Sequence, residues 1–232
     1  MSESIEQRLS QVRERIRRAE AAAGRESGSV ALLAVSKTQP ADAVRQAWAA
    51  GQRSFGENYL QDALAKQQEL QDLDIEWHYI GRIQSNKTRP LAQSFHWVHG
   101  LTEAKHAQRL NDQRPDELPP LNLCIQVNVS GETSKGGLSP DALEPLIEHC
   151  LQLPRLHLRG LMAIPAPADS PEARREPLHR LRLLRDRLAR PELPLETLSM
   201  GMSGDLEEAI HEGSTLVRIG TAIFGPRNHV RD

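Results

Sequence analysis

Lys37 stands two residues beyond an uninterrupted apolar run, Val30-Ala-Leu-Leu-Ala-Val35. A run of this kind, bounded by polar residues, is expected of a parallel strand covered on both faces. A lysine at its end is held partly out of water, where desolvation lowers the amine's pKa and makes it a nucleophile suited to imine formation with an aldehyde. By position alone, a solvated lysine closing a strand is the simpler reading. A second segment raises the chemical case. Leu198-Ser-Met-Gly-Met-Ser-Gly-Asp205 precedes Leu206, Ala209 and Ile210 at helical spacing, so it reads as strand, glycine-rich turn and helix. Gly201 and Gly204 would let the backbone approach a ligand closely, while Ser203 and the amides at the helix start would offer donors to an anion. Ser203 serves equally well on paper as the helix cap.

Further candidates cluster around these two. In Ser214-Thr-Leu-Val-Arg-Ile-Gly-Thr221, Gly220 and Thr221 end a strand and could add amide and hydroxyl donors to the same anion. Arg218 lies between Val217 and Ile219, where a charge is expensive to bury unless it meets a ligand or a core carboxylate. Asn58, in Gly56-Glu-Asn-Tyr59, ends another strand and faces either the site or the start of the next helix, which Glu57 or Asn58 could cap. His78 has no partner at metal-ligand spacing, and His96 and His99 fall on opposite faces of any strand, so all three read as structural or surface histidines. Lys135 lies in a glycine-rich loop, Ser130-Gly-Glu-Thr-Ser-Lys-Gly-Gly137, either swinging over the site or solvated.

The elements that must position these residues follow from periodicity. Ile5, Leu9, Val12, Ile16 and Ala19 recur at spacings of three and four, predicting a helix with one buried stripe that Gly24 ends. Strand-like runs near residues 30, 54, 77, 96, 123, 158, 197 and 217 then alternate with helical patterns. Ser139-Pro140 and Ser170-Pro171 each place a hydroxyl cap before a first-turn proline, and Pro177 marks a kink or the true start of the second of these helices. Strands separated by helices imply right-handed crossovers and a parallel sheet, open or closed. Eight candidates favour an α/β fold of one (β/α)8 TIM-type barrel with an extra N-terminal helix, spanning residues 1–232 as a single domain.

Composition narrows the partners. Lys and Arg total 29 against 31 Asp and Glu, which gives no electrostatic reason to expect nucleic acid or an anionic membrane. Aromatic residues make up only 3%, too few for a base-stacking platform. No apolar stretch is long enough to span a bilayer, and the charged start excludes a signal sequence, so a cytoplasmic location is expected. Cys124 and Cys150, far apart, read as ordinary buried thiols.

Taken together, Ala34-Val-Ser-Lys-Thr38, Phe55-Gly-Glu-Asn-Tyr59, Trp77 through Lys87, Gly160 through Pro165 and Leu198 through Gly225 resemble the pyridoxal phosphate homeostasis proteins. Their barrel is that of the N-terminal domain of bacterial alanine racemase. The resemblance implies that Lys37 carries pyridoxal 5'-phosphate as an imine and that Asn58 lies beside the cofactor. It further implies that Met200, Gly201, Ser203, Gly220 and Thr221 surround the phosphate and that Arg218 faces the pyridine nitrogen. Ile83 stands where the family usually has leucine, a conservative change. Racemases of this fold use a second domain with a catalytic tyrosine; with Tyr59 and Tyr79 both in barrel segments, no such domain is expected here. An arginine at the ring nitrogen also weakens the cofactor as an electron sink. The expectation is therefore a monomeric carrier that buffers the cofactor, hands it to apo-enzymes and catalyses nothing beyond imine exchange. The rivals are a compact racemase using Lys135 or His78 as second base, and an aldolase-like barrel in which Lys37 takes substrate directly.

Overall fold

The computed structural model describes residues 3–131 and 136–225. The stripe from Ile5 to Ala19 forms α1 (Ile5–Ala22), opened by a capping box in which the Ser4 hydroxyl accepts from the Gln7 amide and the Gln7 side chain accepts from the Ser4 amide. Gly24 takes the left-handed φ of +67° that the turn beyond α1 requires. Buried Glu20 then accepts from the amides of Gly28 and Val30, steering the chain into the first strand.

All eight expected strands are present: β1 (Ala31–Val35), β2 (Ser54–Glu57), β3 (Glu76–Tyr79), β4 (Trp97–Leu101), β5 (Leu121–Gln126), β6 (Leu156–Met162), β7 (Thr197–Ser199) and β8 (Leu216–Ile219). Each pairs in parallel with its neighbours in chain order, and β8 returns to β1, so the sheet closes. The helices between them are α2 (Ala41–Ala49), α3 (Leu60–Glu69), α4 (Thr88–Ser94), α5 (Ala104–Gln113), α6 (Leu143–Leu151), α7 (Pro171–Leu188) and α8 (Leu206–His211); α9 (Thr221–Phe224) follows β8. Among the described residues, no helix is long and apolar enough to cross a membrane.

Of the two capped helix starts expected, one appears as read and one differs. The Ser170 hydroxyl caps α7 by accepting from the Ala173 amide, and Pro177 sits inside that helix instead of opening it. Ser139 makes no cap bond; a short 3-10 turn over Pro140–Ala142 comes between it and α6.

The period-two alternation of strands sorts side chains into two layers. Ala34, Trp77, Val98, Leu123, Ile125, Leu161, Leu198 and Val217 point outward and pack with the helices in one apolar shell. The opposite parity, including Leu33, His78, His99, Cys124, Met162, Ser199, Leu216 and Arg218, is equally buried but stands apart from that shell, inside the barrel. Burial pushes the Cys124 and Cys150 thiols up to about 12, the behaviour of inert core thiols. Gly160 marks the tightest backbone approach: a Cβ there would lie 1.8 Å from the Thr197 carbonyl oxygen, so β6 meets β7 only without a side chain.

Candidate functional site

At the C-terminal ends of the strands a cavity of about 360 Å³ opens to solvent, within the size range of small-molecule sites. Lys37, Asn58, Ser203, Arg218, Gly220 and Thr221 line it together, although they come from the first, second, seventh and eighth units of the barrel. Val35, Ile80, Ile164 and Met202 complete the walls with aliphatic surface. The cavity shares Asn58, Ile80 and Ile164 with a second hollow of about 630 Å³, lined by residues at and beyond the ends of the second to sixth strands. Grooves of about 710 and 660 Å³ run along α1, but charged surface residues line much of them and no strand-end lysine or turn donor reaches them.

Lys37 is half-buried at the cavity edge. The next residue, Thr38, has φ of +64°, a left-handed conformation that a β-branched residue rarely adopts. Behind Lys37 the chain is anchored by a buried triad. The Ser36 hydroxyl donates to Glu57 Oε1 at 2.6 Å, and Lys66 Nζ donates to the same oxygen at 2.6 Å and to the Ser36 carbonyl at 2.7 Å. Burial raises the Glu57 pKa against the pull of Lys66 and Ser36. The triad ties the residue before Lys37 to the residue before Asn58, so two loops of the site share one fixed support. Neither Glu57 nor Asn58 caps α3, whose start at Leu60 has no side-chain cap. Asn58 Oδ1 is buried without a partner among the described residues.

The glycine-rich turn removes one of the two sequence readings of Ser203, the helix cap, and leaves the donor reading standing. The cap position of α8 is Asp205, whose carboxylate accepts from the Met202 amide at 2.6 Å and folds the turn back on itself. Arg15, from α1, donates to the Ser203 carbonyl at 2.9 Å and pairs with Glu207, holding the turn from outside. Among the described residues, the amides of Ser203 and Gly204 and the hydroxyls of Ser203 and Thr221 donate to no protein acceptor. A group of unpaired donors facing one cavity is what an anion requires. Met200 and Gly201 do not line the cavity. Met200 is fully buried beneath the turn, and Gly201, with φ of +98°, would place a Cβ 2.6 Å from that of Ala209. Their contribution to the turn is its shape.

Arg218 forms the cavity floor and is 4% exposed. It meets no core carboxylate within ion-pair distance among the described residues; it donates instead to the carbonyls of Ser199 at 2.5 Å and Ala163 at 2.8 Å and to the Ser199 hydroxyl at 2.8 Å. Burial lowers its pKa to about 10, still far above neutrality, so it stays a cation. Two N–H bonds of the guanidinium remain for a ligand.

His78 and His99 lie inside the barrel, bonded to each other, and neither lines the cavity. His78 is thereby removed as a second base. His96 is on the outer face, where its Nδ1 accepts from the Trp77 amide. Lys135 lies outside the described residues. The aliphatic walls, Val35, Ile80, Ile164 and Met202, were not singled out from sequence; their positions at or just after strand ends were the available signal.

The arrangement fits an aromatic aldehyde carrying a phosphate: an amine at one edge, unpaired anion donors at another, a guanidinium between them and aliphatic faces to sandwich a ring. The comparisons agree. The family of the alanine racemase N-terminal domain matches residues 7–228. A protein of Pseudomonas aeruginosa described as a pyridoxal phosphate homeostasis protein is 59% identical over 226 residues, 97% of each chain. PipY of Synechococcus elongatus, solved without pyridoxal phosphate and with it bound, superposes with TM-scores of 0.86 and 0.83 at 38% and 37% identity, covering 96% of this chain and 100% of that one. Alanine racemase of Corynebacterium glutamicum, at 18% identity and a TM-score of 0.64 over 93% of this chain and 60% of its own, shares the fold. The chain therefore belongs to the alanine racemase N-terminal domain family, among its pyridoxal phosphate homeostasis proteins.

Proposed function

We propose that this chain binds pyridoxal 5'-phosphate and serves its homeostasis, carrying and buffering the cofactor without turning over a substrate. When bound, the cofactor supplies an aldehyde that condenses reversibly with primary amines. In this reading Lys37 is the covalent anchor, and Ser203, Gly204, Gly220 and Thr221 hold the phosphate through amides and hydroxyls. Met200 and Gly201 keep that turn in shape. Arg218 donates to the ring nitrogen, and Asn58 lies beside the ring. An arginine there keeps the ring nitrogen unprotonated, which favours holding over carbanion chemistry. The open mouth lets a competing amine reach the anchor, as buffering requires. We further propose that the chain is one barrel domain acting as a cytoplasmic monomer that passes the cofactor to apo-enzymes.

The single observation that carries the reading is the convergence of Lys37 and the unpaired donors of the two final loops on one cavity. Lys37→Ala should abolish both the visible absorbance of the protein incubated with pyridoxal phosphate and the borohydride-fixed adduct found by peptide mass spectrometry. An unchanged spectrum would overturn the assignment.

A further inference from the structure

The barrel interior contains a continuous run of polar groups from the floor of the cavity to the opposite mouth. Arg218 Nη1 donates to Ser199 Oγ at 2.8 Å; Ser199 Oγ meets His99 Nδ1 at 2.8 Å; His99 Nε2 meets His78 Nδ1 at 2.9 Å; and His78 Nε2 meets Glu76 Oε1 at 2.7 Å. The middle three are 0 to 1% exposed, whereas the Glu76 side chain, at the N-terminal start of β3, is 46% exposed. Ring stacking between His78 and Trp97, 5.3 Å apart and 6° from parallel, fixes the His78 plane.

The direction of every bond follows from the two ends. Glu76 is an ionised carboxylate, held down to about 2 chiefly by His78, so it only accepts, and His78 Nε2 must bear a proton. Burial keeps His78 neutral, so its Nδ1 is bare and accepts from His99 Nε2–H. Burial keeps His99 neutral as well, so its Nδ1 is bare and accepts the single proton of Ser199. The Ser199 lone pairs are then left for Arg218, which can only donate. All four bonds point the same way, from guanidinium to carboxylate, and bonds so aligned polarise one another.

We infer that Glu76, His78, His99 and Ser199 are positioning residues for Arg218, forming a one-way hydrogen-bond chain that sets the plane and donor strength of its guanidinium from the far end of the barrel. The chain supplies a second, remote counter-charge to a buried cation that forms no ion pair among the described residues and otherwise feels the charge of nearby Asp205. It rests on the proposed cofactor site only for its consequence there; the bond directions stand without it.

The test uses the full chain with pyridoxal phosphate. Nitrogen-15 NMR of the histidine rings should show both His78 and His99 protonated on Nε2 and bare on Nδ1; a proton on Nδ1 of either ring overturns the inference. Glu76→Gln, at an exposed position, offers a donor as well as an acceptor and so weakens the bond directions without removing bulk. It should shift the visible absorbance maximum of the bound cofactor and speed its release by up to about tenfold, with the melting temperature little changed. Ser199→Ala should shift the same signals further. Unchanged absorbance and release in both variants would sink the positioning role while leaving the cofactor site intact. If the protein takes up no cofactor, the functional reading fails instead, and the ring protonation pattern still decides the bond directions.

Discussion

The inside of this barrel and the shell around it are both dry, yet they are made of different chemistry. Between strands and helices the shell is a continuous apolar layer, aliphatic with a few aromatic rings, in which Leu110, Leu123 and Leu143 are fully buried. Inside, where barrels of this type usually stack branched aliphatic residues, two histidines, a serine and an arginine share the space with Leu33, Cys124, Met162 and Leu216. Buried polar groups cost stability unless each is hydrogen-bonded, and here each is bonded to the next. The comparison teaches a division of labour: apolar area in the shell supplies the driving force for folding, which frees the interior to orient one cation.

Perturbing each layer should separate the two roles. The largest loss is expected at a charged intrusion into the shell: Lys66→Met leaves Glu57 buried without its cation, at a cost of about 3–5 kcal/mol by urea denaturation at pH 8. Because burial already raises the Glu57 pKa, the carboxyl takes up a proton readily, and the loss should shrink at pH 5; equal losses at both would break the pairing argument. Next, Leu110→Ala should cost about 2–5 kcal/mol while leaving cofactor uptake per folded molecule unchanged.

The interior should respond to acid instead. His78 and His99 have folded pKa values lowered by burial from 6.5, so the unfolded chain gains protons first as pH falls. Stability should be fully present above about 6.5 and decline below it by up to about 1.4 kcal/mol per pH unit for each histidine. His99→Gln should flatten that slope in thermal melts between pH 7 and 5, and a slope identical to the parent's would remove His99 from the account. The smallest effect is expected at the seam between layers and site. Thr38→Gly relieves a left-handed threonine at the expense of chain entropy, for a net gain of at most about 1 kcal/mol, whereas Thr38→Ala should gain nothing.

Much of the fold was legible because periodicity reports burial directly. The α1 stripe from Ile5 to Ala19 is buried along its length, and the run before Lys37 forms the expected parallel strand, buried from Leu33 to Val35 with Ala31 exposed at its start. Closure of the sheet was favoured by the number of strands, eight, and not by any local spacing, since it depends on β8 meeting β1, a pairing no local pattern encodes. The same limit explains the histidines. His96 and His99 do fall on opposite faces of the chain, as alternation requires, but the bond from His78 to His99 depends on the register of β3 against β4. Ser203 was legible as a residue of the turn, but its relation to Asp205 was not: which of two nearby oxygens takes the first amide depends on the turn's φ and ψ angles, and Asp205 takes that of Met202.

The seam where β1 meets β8 has a consequence for the order of events during synthesis. Lys37 leaves the ribosome early and the donors around Ser203, Gly220 and Thr221 leave it late, while α1, which can meet α2 at once, waits for its larger contacts with α8 and α9. A nascent chain can therefore offer only half a grip, and capture of a ligand held at both ends must await ring closure, the step with the greatest loop-closure cost. Such a ligand, once bound, staples the first unit to the last two, so its presence should slow unzipping of the ring more than any contact within a single unit.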